Sequence, residues 1–74
     1  MNNLAAQLLV IESSIALLPA DCKVEVTIRL PVGTQAPEGY EHCDNADSAT
    51  WYQKQIENDF GIVKKAILLR IPLD

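Results

Sequence analysis

The sequence predicts an α+β fold, a small two-layer α/β sandwich of element order α-β-α-β whose sheet is completed by homodimerisation. Three observations lead there. Apolar residues recur at helical spacing near the start of the chain and at strand spacing in two later segments. The 74 residues and 8.2 kDa make one domain, residues 1–74. A compact globule of this mass exposes roughly 4,500 Å², so burial within one copy barely offsets chain entropy and a second source of burial matters.

The first element is a helix from Asn3 to Leu18. Leu4, Leu8, Ile11, Ile15 and Leu18 fall on one stripe. Asn2 or Asn3 caps it, and Pro19 ends it. Ala5, Leu9 and Ala16 form a second apolar strip, and Ala6, Val10 and Leu17 a third. Only Gln7, Glu12, Ser13 and Ser14 interrupt the circumference, and a helix apolar nearly all round is usually buried nearly all round. Cys22 to Leu30 is a strand. Val24, Val26, Ile28 and Leu30 alternate with Lys23, Glu25, Thr27 and Arg29. Pro31 and Gly33 stop it.

A long connection runs from Pro31 to Ala46, with a short edge strand at Tyr40 to Cys43. A second helix is expected over Asp47 to Asn58. Asp44, Asn45, Asp47 and Ser48 offer N-caps, Ala49, Tyr52, Ile56 and Phe60 a stripe, and Gly61 a C-terminal stop. Ile62 to Leu73 is the last strand. Val63, Ile67, Leu69, Ile71 and Leu73 share one face, Lys64, Ala66, Leu68 and Arg70 the other, and Pro72 places it at a sheet edge. The β-α-β order of the second half favours parallel strands. Two strands make a poor sheet. Together with the over-apolar first helix, this predicts a homodimer, formed edge to edge or through the helices.

Composition excludes several classes. Hydrophobic residues at 49% and charged residues at 22% are globular values. Cys22 and Cys43 are too few for a disulfide-stapled scaffold. No basic segment precedes the N-terminal apolar stretch, since the first cation is Lys23, and the stretch is too interrupted to span a membrane. A cytoplasmic protein with reduced thiols is expected. The net charge of −4 opposes nonspecific nucleic-acid binding. The basic strands carry no interleaved aromatic residue on which bases could stack, Trp51 and Tyr52 being assigned to the acidic helix.

Charge is nonetheless segregated. Five of the six cations lie in the two long strands with one acid, Glu25; the rest of the chain holds Lys54 and nine acids. Neither zinc-ligand pairing nor a nucleophile signature is present. Adjacent His42 and Cys43 have the wrong spacing for a paired site and point apart in an extended segment. Phosphate-loop, dinucleotide and G-x-S-x-G motifs are absent, so no catalytic residue, metal or cofactor is expected.

The expected function is a small non-enzymatic protein-interaction module. It binds another protein through an acidic, aromatic surface between Glu38 and Glu57, made by Glu38, Tyr40, Glu41, Asp44, Asp47, Trp51 and Tyr52. Chains of this size are common among accessory proteins of phages and mobile elements, so an inhibitor or modulator of a host enzyme is the class suggested by size. The alternative is an oligomeric binder of a phosphorylated small molecule or nucleotide, held by Lys23, Arg29, Lys64 and Arg70.

Overall fold

In the computed structural model, residues 3–45 and 47–73 are described. Asn2, one of the two expected caps, and Ala46, the expected end of the long connection, lie outside them. Helix α1 spans Leu4–Ala16, followed by strands β1 (Val24–Arg29), β2 (Glu41–Cys43), β3 (Thr50–Asp59) and β4 (Ile62–Ile71). The sheet is mixed, in the order β1-β4-β3-β2. β1 runs parallel to β4, while β4–β3 and β3–β2 are antiparallel. No helix among the described residues is long and apolar enough to cross a membrane.

The element order is therefore α-β-β-β-β, and the helix expected over Asp47 to Asn58 is a strand. Thr50, Trp51 and Tyr52 are all strong strand formers. Period two also fits: Tyr52 and Lys54 sit opposite Leu69 and Ile67 toward the helix, while Trp51 and Gln53 sit opposite Arg70 and Leu68 on the other face. Gly61 carries the remaining signal. It has φ 79 and Phe60 before it has φ 52, and Asp59 pairs with Ile62. Positive φ at both central residues makes a two-residue type I′ hairpin. A helix terminus and a hairpin both want glycine at positive φ, so Gly61 alone does not distinguish them. β4 is consequently a central strand, and Pro72 lies just past its end rather than on an edge.

α1 packs over β3 and β4. Leu8 and Ile15 on its inner stripe join Tyr40, Ile67 and Leu69 as the buried cluster, flanked by Leu4, Ile11, Tyr52 and Ile56. Each such side chain contributes about 1.5–3 kcal/mol when fully buried. Asn3 occupies the N-cap position without a side-chain cap bond, and Leu17 closes the other end by donating its N–H to Ser13 O at 3.1 Å. The outer strips stay uncovered, with Leu9 60%, Val10 66% and Leu17 86% exposed. β1 lies beyond the helix, so Val24, Val26, Ile28 and Leu30 are only half-buried.

The long connection has a topological reason. It carries the chain from β1 at one edge to β2 at the other, three strand spacings or about 14 Å away. Tyr40 anchors its far end in the core.

Near its C-terminal end β3 is bulged. Gln55 pairs with Ala66 and Glu57 with Lys65, so Ile56 is the extra residue. Ile56 stays in step with Tyr52 and Lys54 on the core side, and the bulge turns Glu57 toward Lys65, whose side chain is fully buried. Lys65 Nζ lies 3.0 Å from Glu57 Oε2 and donates to Leu18 O at 2.8 Å. That contact ties the end of the helical segment to the sheet.

Candidate functional site

With one helix over a four-stranded sheet, no helix among the described residues covers the other sheet face. Alternation places Glu25, Thr27 and Arg29 of β1, Ala66, Leu68 and Arg70 of β4, Trp51, Gln53 and Gln55 of β3, and Glu41 and Cys43 of β2 on it. One row crosses the whole sheet: Arg29 opposite Arg70, Arg70 opposite Trp51, Trp51 opposite Cys43.

Asp47 organises the centre of this row. Its Oδ1 accepts the indole N–H of Trp51 at 2.6 Å and the backbone N–H of Ala49 at 3.0 Å. Its Oδ2 accepts the Arg70 Nε–H at 2.7 Å. The bond to Ala49 is a local turn of the kind aspartate forms with the residue two positions on. The Trp51 hydrogen bond, followed by those from Arg70 and Ala49, lowers the Asp47 carboxyl to about 2. One exposed carboxylate thus fixes an indole and a guanidinium side by side before any partner arrives.

The sequence-predicted partner surface divides between the two faces. Glu41 and Trp51 lie on the open face, and Asp47 is bonded to its central residues; Asp44 is exposed in the segment after β2. Tyr40, Tyr52 and Glu38 are on the helix side. Tyr40 is core, and its hydroxyl donates to Glu12 Oε2 at 3.0 Å. Burial, reinforced by the Glu12 carboxylate, pushes the Tyr40 hydroxyl well above the ordinary tyrosine range. Tyr52 meets His42 edge to face at 5.7 Å. Glu38 borders a cleft of about 240 Å³ between α1 and the residues before β2.

Two basic residues that sequence reasoning left without a role shape that side. Lys54 Nζ is 2.7 Å from Glu12 Oε1 and 5.8 Å from the centre of the Tyr40 ring. Lys65 is the buried lysine already described. The available signal was period: Lys54 falls in step with Tyr52, and Lys65 in step with Val63 and Ile67.

The four cations of the alternative site do not converge. Arg29 and Arg70 are cross-strand neighbours. Lys23 and Lys64 lie six residues away along their strands, about 20 Å. Lys64 is engaged by Asp59 at 3.1 Å and by Ala20 O at 3.3 Å, as Arg70 is by Asp47.

The basic strands β1 and β4 contain no aromatic residue, as expected, but the placement of Trp51 and Tyr52 on an acidic helix is corrected: both lie in β3, which sets Trp51 beside Arg70. His42 and Cys43 do point to opposite faces, and burial followed by the Asp44 charge raises the Cys43 thiol. Among the described residues no three His, Cys, Asp or Glu side chains converge as a metal site. The chain matches no protein-family model, no curated protein and no solved structure.

Proposed function

We propose that the protein is a small non-enzymatic interaction module, acting as a homodimer, that binds a partner protein through the open face of its sheet. The observation that carries this reading is the Asp47 clamp on Trp51 and Arg70. Tryptophan and arginine dominate binding hot spots, and fixing them beforehand removes part of the ordering cost of association. Leu68 and Cys43 beside them give apolar surface, with Glu41 and Asp44 as an acidic rim.

The phosphate-binding alternative has less support, because its cations fall at two ends of the sheet and two already hold carboxylates. Size makes inhibition of a larger enzyme the first activity to assay.

The test is quantitative affinity capture with wild type, Trp51→Ala, Arg70→Ala and a helix-face control, Leu17→Ser. A partner held by wild type and the control but lost with both open-face variants is the expected result. Equal capture by Trp51→Ala overturns the surface.

A further inference from the structure

We propose that β1 is the dimer edge: two copies pair their β1 strands antiparallel about a twofold axis at Thr27, joining two four-stranded sheets into one of eight strands. This rests on the homodimer reading above and names its surface.

β1 is the longer free edge, with six residues against three in β2, and its pairing with β4 is unbroken by any bulge. Leu30 donates its N–H to Arg70 O at 2.8 Å. Backbone groups alternate sides along a strand, so the N–H and C=O groups of Glu25, Thr27 and Arg29 turn away from β4. Such a row is a template for another strand.

Side chains select which strand and which register. Glu25 and Arg29 are both exposed, and neither has an ion pair among the described residues. Four residues apart in one strand, they sit about 13 Å from each other and cannot meet. Antiparallel pairing about Thr27 puts Glu25 opposite Arg29 of the second copy, twice by symmetry. On the helix face the same register sets Val26 opposite Ile28 and Val24 opposite Leu30. These are the four residues left half-buried because α1 lies over β3 and β4.

Neighbouring registers fail. A shift by two residues one way opposes Lys23 to Arg29. The same shift the other way opposes Glu25 to Pro31, which has no N–H to give. A one-residue slip sets apolar side chains against charged ones. The same charges that pair in one register therefore reject the others.

Area agrees. The chain exposes 5217 Å², against the roughly 4,500 Å² expected of a compact globule of this mass. The surplus approaches the roughly 800 Å² that each partner buries in a standard interface.

The experiment is sedimentation equilibrium of the full chain as wild type, Arg29→Glu, Glu25→Arg and an equimolar mixture of those two variants, with circular dichroism to verify folding. Wild type is expected to dimerise. Each charge reversal weakens the dimer roughly tenfold or more, because two attractive pairs become repulsive. The mixture recovers wild-type affinity, since each carboxylate of one variant then faces a guanidinium of the other. Thr27→Pro, which deletes an N–H turned away from β4, also weakens it. A wild type that stays monomeric at high micromolar concentration overturns both this edge and the homodimer reading. A dimer indifferent to all three variants overturns the edge alone, and its loss in Leu17→Glu would assign it to the outer face of α1.

Discussion

Replacing Phe60 by asparagine should stabilise the protein. Phe60 is the first central residue of the β3–β4 hairpin and stands at φ 52, the one non-glycine at positive φ among the described residues. An ordinary L-residue pays about 1–2 kcal/mol for that conformation, because Cβ crowds the following carbonyl oxygen. Asparagine is tolerated there, and Asn-Gly is the favoured pair for a type I′ turn. The phenyl ring is 97% exposed, so its removal forfeits almost no burial. The net effect is a gain of about 1 kcal/mol, or roughly 4–8 °C in Tm for a domain of this size. Thermal unfolding followed by far-UV circular dichroism, at fixed protein concentration, measures it. Gly61→Ala is the opposing control. A Cβ there meets nothing within 4 Å, so its penalty is the φ of 79 itself, and a loss of about 1 kcal/mol follows. An unchanged or lower Tm for Phe60→Asn would refute the reasoning, by showing that the ring has contacts the single chain does not provide.

Three further outcomes follow from the polar contacts and the open face. Glu57→Ala leaves Lys65 fully buried with only Leu18 O as partner and should cost about 3 kcal/mol in chemical denaturation. Lys65→Met leaves instead a carboxylate that water reaches, and should cost less, about 1–2 kcal/mol; the reverse order would contradict the buried-charge account. Because the folded Asp47 carboxyl lies near 2, below its ordinary 3.8, its stabilising contacts are intact above about 4 and fade as pH falls through about 2. Fluorescence of Trp51, the single tryptophan, should therefore change with a midpoint near 2, and Asp47→Asn should abolish the change. A midpoint near 4 would mean that the clamp does not form. The third is that single-stranded nucleic acid should not bind the open face.

Most of the fold was legible in the sequence where one face is buried and the other wet. β1 shows that pattern residue by residue, and so does the inner stripe of α1. The short edge strand β2 was legible too; β1 and β4 are parallel as expected, but the expectation rested on a β-α-β crossover, and the chain between them holds β2 and β3 and no helix. β3 was not. Its inner row is Thr50, Tyr52 and Lys54, two of them polar, so the alternation is faint. Its bulge breaks period two after Ile56, and Ile56, four residues after Tyr52, fits a helical stripe as well as a strand face. The local capping chemistry around Asp47 is genuine but serves a turn and a cross-strand clamp rather than a helix start. Lys65 escaped notice because lysine is rarely buried, and only its partner Glu57, delivered by the bulge, makes the position tenable.

The strand assignment of this segment matters for function because it sets the aromatic residue beside the basic strand β4. A sheet face bearing Trp51 between Arg70 and Cys43 invites comparison with surfaces on which bases stack, yet the details favour a protein partner. Stacking platforms present two or three rings in succession; here Tyr52 and His42 face the helix side, leaving one ring on the open face. The guanidinium beside that ring already holds a carboxylate, and Glu41 stands on the neighbouring strand, so phosphates would meet acids as readily as bases. The whole chain carries −4. An oligonucleotide titrated at low salt, where electrostatic binding is strongest, should therefore leave Trp51 fluorescence unquenched. Saturable quenching that weakens steeply with added salt would instead show that Arg29 and Arg70 outweigh their acidic neighbours, and would replace the protein partner with a nucleic acid on the same face.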